Sequence, residues 1–123
     1  MSVSIKVDEE NVAVAMGSGS LMVLATPAVA ALMENAAAKL ADSVLENDEL
    51  TTVGTMISIE HTSPTPLGAE VTATAVLTKH DGRMFYFDVS ASDGKGEIAH
   101  GTHTRVSVNA EKFQMKADSK FYE

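Results

Sequence analysis

Cysteine is absent from the 123-residue chain, and that omission excludes disulfide bridges, thiolate metal sites and a cysteine nucleophile. It is compatible with a reducing compartment. Tryptophan is absent too, and four Phe with two Tyr are the only aromatic side chains, so a core has to come from Val, Ile, Leu, Met and Ala. Basic charge is scarce: 9 Lys and Arg stand against 17 Asp and Glu, a net charge of −8, which argues against nucleic acid and membrane surfaces as partners. The apolar run from Leu21 to Met33 is too short to span a bilayer and leads straight into Glu34. The first residues lack a basic segment followed by an apolar one. Together these absences predict one soluble, cytoplasmic domain over residues 1–123, long enough for a single core.

What is present is organised around residues 21–45. Thr26 before Pro27 is a start signal, a hydroxyl able to cap orphan N–H groups followed by a residue whose fixed φ suits the first helical position. A five-turn helix is therefore expected from Thr26 onward, rich in the strong helix formers Ala, Leu and Met. Val29, Leu32, Met33, Ala36 and Leu40 share an apolar face; Asn35, Lys39, Asp42 and Ser43 form a polar arc. Glu34 belongs to neither. It lies on a stripe of small residues, Pro27, Ala30, Ala31, Ala38 and Ala41, with no opposite charge three or four residues away. A carboxylate in that setting calls for a chemical role.

The remainder reads as strand. Residues 2–7 alternate, and residues 12–16 form a further short apolar segment before the flexible link Gly17-Ser18-Gly19-Ser20. Residues 51–62 are rich in β-branched side chains. Regular alternation places Val53, Thr55, Ile57, Ile59 and His61 on one face, and Gly54, Met56, Ser58 and Glu60 on the other. Ser63-Pro64-Thr65-Pro66-Leu67-Gly68 is a rigid turn. Strands follow at 70–80, 83–92 and 97–109, joined by the hairpin signals Asp81-Gly82 and Ser92-Asp93-Gly94-Lys95-Gly96. Beyond Ala110 the charged sequence is expected to fray. One or two strands, a long helix and four strands in hairpin succession make an α+β architecture with an antiparallel sheet. His100 and His103, three apart on a strand, fall on opposite faces and cannot chelate one ion, so no metal site is expected. His80, beside the hairpin turn, is expected to face solvent.

Leu24-Ala25-Thr26-Pro27, Leu32-Met33-Glu34, Thr52-Val53-Gly54-Thr55, His61-Thr62, Thr65-Pro66-Leu67-Gly68, Asp81-Gly82-Arg83 and Gly101-Thr102-His103-Thr104-Arg105 occur in an order and spacing that resembles hot-dog fold thioesterases, most nearly the fluoroacetyl-CoA thioesterase-like family. The resemblance covers roughly residues 12–117. It implies a long helix wrapped by a curved antiparallel sheet, pairing of two subunits into a homodimer or a tetramer built from it, and acyl-thioester sites at the subunit interface. It implies a catalytic set at Thr26, Glu34 and His61, close substrate approach at Gly54, and Arg105 near the acyl group. No cofactor is implied beyond the coenzyme A carried by the substrate. One departure stands out. The fluoroacetyl-selective pattern has an aromatic lid residue just before the helix, where this chain has Gly17-Ser18-Gly19-Ser20, so thioester hydrolysis is implied and fluoroacetyl selectivity is left open.

Thioester hydrolysis needs a nucleophile, a base and donors for the developing oxyanion. Without cysteine, the nucleophile is Thr26 Oγ1 or water. The helix N-terminus supplies a positive dipole end, with Ala28 and Val29 N–H groups as expected donors because Pro27 has none. His61 is the candidate base, and Glu34 either orients it or polarises water. Read for packing alone, Thr26 is an N-cap, Glu34 an exposed helix glutamate, His61 a core histidine and Arg105 a surface arginine. Two further functions fit the same residues. One is a non-catalytic acyl-CoA-binding or sensor protein; the other is an enoyl-thioester hydratase, which also pairs a histidine with a carboxylate.

Overall fold

The computed structural model describes residues 1–122. Five strands, β1 (Ser2–Lys6), β2 (Leu50–His61), β3 (Glu70–Asp81), β4 (Met84–Asp93) and β5 (Gly96–Asn109), form one sheet in the order β1-β3-β4-β5-β2. Every neighbouring pair is antiparallel. Helix α2 (Thr26–Asp42) lies across it, chiefly over β3 and β2. Two shorter helices, α1 (Ala13–Met16) and α3 (Ala110–Tyr122), flank the sheet.

The core follows from the two periodicities. Alternate residues of β3 and β4 (Val71, Ala73 and Ala75; Phe85, Phe87, Val89 and Ala91) point at the helix, which answers with Val29, Leu32, Met33, Ala36 and Ala37. Alanines on both sides let backbones approach closely, and the two phenylalanines fill the remaining depth.

Four sequence expectations change. Strands β2 and β3 are not hairpin neighbours: β2 pairs with β5 at the far edge of the sheet. The connection bearing Pro64, Pro66 and Gly68 runs past the start of α2, where Thr65 carbonyl accepts from Leu24 N–H at 3.0 Å and the buried Thr65 hydroxyl donates to Asp93 at 2.8 Å. Residues 12–16 are not a strand. Val12 makes one bridge, to Leu24, and the chain then closes a single helical turn, ended by Gly17 at φ 68°. The segment after Ala110 is helical, because Asn109 Oδ1 caps Lys112 N–H at 3.0 Å; none of its residues is buried. The long helix ends at Asp42, short of Leu45.

Glycine at 101 has a packing reason. A side chain there would meet the β2 backbone, with Ile59 Cα 2.8 Å from the position of a Cβ, so glycine lets β5 lie close against β2.

Candidate active site

Helix α2 begins at Thr26, as expected, but its cap is not the Thr26 hydroxyl. Ala25 is the N-cap, Thr26 occupies the first helical position and Pro27 the second. Thr26 is thereby released from capping. Its Oγ1 lies 2.8 Å from His61 Nδ1. The contact is built by backbone: Leu24 N–H on Thr65 O and a bridge between Val23 and Pro66 tie the helix start to the loop just after His61, while Ala25 N–H on Asn11 O holds it to the segment before α1. His61 is fixed in turn at the end of β2, opposite Ala99. The pair opens into a cleft of about 280 Å³ walled by Ala13, Ser18, Val23, Leu24 and Pro64.

The first turn of α2 is not the donor set expected. Ala28 and Val29 both donate to Ala25 O, at 3.0 and 3.1 Å, which leaves them unavailable to an oxyanion. Among the described residues the Thr26 N–H has no backbone acceptor. The other ring nitrogen of His61, Nε2, is buried and makes no hydrogen bond. A buried polar atom without a partner costs about 1–3 kcal/mol, so it marks a place where a group is wanted.

Glu34 lies elsewhere. Eight residues of helix separate it from Thr26, about 12 Å at 1.5 Å per residue, and its surroundings are Gly54, His103 and Arg105. A Cβ on Gly54 would lie 3.0 Å from Glu34 Oε2, 3.3 Å from His103 Cε1 and 3.5 Å from Arg105 Nη1. Glu34 is half-buried at the edge of a shallow hollow of about 440 Å³ that also touches Thr52, Gly54 and Arg105.

A bulge makes this cluster. The register of β2 against β5 shifts between Gly54 and Met56, and the extra residue, Thr55, turns outward to bond Thr104. Gly54 sits opposite Arg105 and Ile57 opposite His103. The face that carries Ile57, Ile59 and His61 therefore carries Gly54 as well. This corrects the regular alternation, which puts Val53 and Thr55 on this face and Gly54 on the other.

Arg105 is likewise not a surface residue. It is 8% exposed, with Nε on Thr52 Oγ1 at 2.8 Å, Nη2 on Thr52 O at 2.9 Å and Nη1 on His103 Nε2 at 3.2 Å. Burial pulls its pKa below the usual arginine value while the Glu34 and Asp42 carboxylates hold it up, and it stays charged. His103 is 1% exposed; burial is the main reason its pKa lies below 6.5, with Arg105 adding to the effect and the Met56 carbonyl and Glu34 opposing it. His103 and Thr52 were not foreseen as members of the site. The signal available was the two-residue spacing of His103 and Arg105 on one strand face.

His80 is exposed and stacks on Phe85 with ring centroids 4.0 Å apart. His100 is exposed between Glu60 and Glu97, on the face opposite His103. Among the described residues no group of three or more His, Asp or Glu is placed to hold a metal ion, and no helix is long and apolar enough to cross a membrane.

A curved antiparallel sheet wrapped around one long helix is the hot-dog fold. Solved structures agree. A mutant of the fluoroacetyl-CoA-specific thioesterase FlK in complex with fluoroacetate and CoA superposes with a TM-score of 0.91 at 32% identity, over 98% of each chain. A hot-dog-like protein from Thermanaerovibrio acidaminovorans gives 0.88 at 21% identity, covering 100% of this chain and 90% of that one; it shares the fold. A family model described as fluoroacetyl-CoA-specific thioesterase matches residues 7–111. The fluoroacetyl-CoA thioesterase of Streptantibioticus cattleyicolor is 42% identical over 98 residues, 80% of this chain and 70% of that protein. The chain belongs to the fluoroacetyl-CoA-specific thioesterase family.

Proposed function

We propose that this protein is an acyl-CoA thioesterase that hydrolyses a small acyl thioester at a site completed by a second copy of the chain. The observation that carries the reading is the bond between Thr26 Oγ1 and His61 Nδ1, in a chain of this family. His61 removes the hydroxyl proton as Thr26 Oγ attacks the thioester carbon. The tetrahedral oxyanion is met by the Thr26 N–H and the positive end of α2. Collapse breaks the carbon–sulfur bond, the departing thiolate takes the proton from His61, and water repeats the sequence to free the acid and regenerate Thr26. Water attacking directly is the alternative that Thr26→Ala separates: retained turnover in that variant assigns the nucleophile to water.

In this reading Nδ1 accepts from Thr26, so the proton of the neutral ring is on Nε2, the buried atom without a partner. A carboxylate is its natural acceptor. Glu34 of the same chain is two helical turns away, but β2 is a free sheet edge of 12 residues, several of them β-branched, and such edges pair. Two β2 strands joined antiparallel about a twofold axis near Ile57 and Ser58 set His61 beside the partner's Gly54, and with it the partner's Glu34. Gly54 and Arg105 then line the acyl position. The cytoplasm is the compartment that fits a chain without cysteine acting on a CoA ester.

The segment before α2 offers Met16, Leu21 and Met22, all exposed, around Gly17 and Gly19, and no aromatic ring. A plain small acyl group is accordingly proposed as substrate, in preference to a fluorinated one. Incubation of the protein with a panel of short acyl-CoAs and a thiol reagent is the test. Thiol release for several acyl groups is expected. No release above buffer for any of them overturns the reading, and loss of the enoyl absorbance without free thiol assigns a hydratase.

A further inference from the structure

We infer that His103 is a positioning residue, held as the Nδ1–H tautomer so that its Nε2 lone pair anchors Arg105 beside Gly54 and Glu34. The inference rests on the thioesterase reading only for its kinetic consequences; the placement itself is a matter of hydrogen bonding.

The tautomer follows from the partners. His103 Nδ1 is 2.7 Å from Met56 O, and a carbonyl only accepts, so the proton is on Nδ1. Nε2 is 3.2 Å from Arg105 Nη1, and a guanidinium only donates, so Nε2 presents a lone pair. A neutral ring with one donor and one acceptor satisfies both contacts, and no other protonation state does. Protonation would abolish the acceptor and set two cations against each other. The other charged groups facing the ring are Arg105 on its own strand and Glu34 from α2; from β4 comes the ring of Phe87, 6.0 Å away.

The consequence is felt at Arg105. Three bonds, to Thr52 Oγ1, Thr52 O and His103 Nε2, fix the plane of its guanidinium and use three of the five N–H groups. One N–H on each terminal nitrogen remains unspent, and Nη1 stands beside the space left by the missing side chain of Gly54. A guanidinium pinned this way keeps donors aimed at one spot without searching rotamers, which is what orienting an acyl thioester requires. His103 also ties the arginine to the bulge, because Met56 is the residue at which the β2 register resumes.

Two variants and one spectrum test this. In His103→Gln the amide oxygen reaches the Nε2 position and keeps the acceptor for Arg105. In His103→Asn the amide nitrogen reaches the Nδ1 position, keeps the bond to Met56 O, and leaves Arg105 Nη1 with none. His103→Asn is expected to raise KM for the acyl-CoA by about tenfold to a hundredfold, the size of one hydrogen bond to a charged group, with kcat little changed, and His103→Gln to stay within about threefold of the parent. Equal KM in the two variants, or a loss confined to kcat, overturns the inference. Imidazole nitrogen NMR of the parent is expected to show His103 as a single Nδ1–H tautomer at neutral pH. An Nε2–H tautomer overturns the placement. If the parent hydrolyses nothing, the thioesterase reading fails while the spectrum still decides the role of His103 in holding Arg105.

Discussion

The two halves of the candidate site are built on opposite plans. Thr26 and His61 share one hydrogen bond at the mouth of a cleft, with a ring nitrogen left over. Glu34, Gly54, His103 and Arg105 sit two helical turns away, and there the histidine is bonded at both ring nitrogens and the arginine at all three of its nitrogens. The first is poised to react and has a valence to fill; the second is locked. Groups that must gain and lose a proton cannot be tied down on all sides, whereas groups that hold a substrate gain from being so.

The contrast is broken most severely at the reactive half. His61→Ala is expected to lower kcat/KM by about a hundredfold to ten-thousandfold, the usual contribution of a positioned base, while Tm moves by only a few degrees because the side chain is half-buried with a single bond. A large loss of Tm with proportionate loss of activity would make His61 structural.

Next in size is a test of whether the halves meet across subunits. Glu34→Gln and His61→Ala, each nearly inactive alone, are expected on co-expression to recover about a quarter of parental activity, since half of the dimers are mixed and each mixed dimer has one intact site. No recovery in verified mixed dimers would place both residues in one subunit's site. Gly54→Ala should act on the locked half alone. Its methyl meets Glu34 Oε2 at 3.0 Å and His103 Cε1 at 3.3 Å; the glutamate can swing aside but the histidine is held, so KM is expected to rise about tenfold with a stability loss of about 1 kcal/mol. Unchanged kinetics would remove Gly54 from the acyl position.

The smallest effect is on stability against pH. His103 has a folded-state pKa below 6.5, chiefly through burial, so the unfolded chain binds more protons between that value and 6.5. The stability it confers is full above about pH 7 and falls as pH drops through 6.5 and below. Thermal melts from pH 7 to pH 5 are expected to show Tm declining by a few degrees, with a shallower decline in His103→Gln. An identical slope in the variant would assign the effect to other groups.

How much of this was written in the sequence depends on distance along the chain. The long helix, the two tight hairpins and the solvent-facing His80 follow from local rules, because each is decided by residues within a few positions of one another. The resemblance placed Thr26, Glu34 and His61 as a set. What escaped was non-local. Thr26 looked like a cap because its true partner is on another element, and Arg105 looked exposed because Thr52 and His103 reach it only through pairing of β2 with β5. The C-terminal helix was hidden by its charge, although Asn109 three residues before Lys112 is a legible cap. The neighbour of β2 is hidden because adjacency in sequence suggests a hairpin, whereas the chain crosses past the helix start from β2 at one edge to β3 between β1 and β4.

Thr55 makes the ladder count odd. Were it drawn into the ladder opposite Arg105, the strands could re-pair with little visible disturbance, yet the frame upstream would slip by one and put a branched side chain, its own, into the gap beneath Glu34 that Gly54 now leaves open. Spacing along β2 is thus as much a part of the catalyst as any functional group on it, and a family member that changed that interval would announce a different substrate before its fold showed any difference.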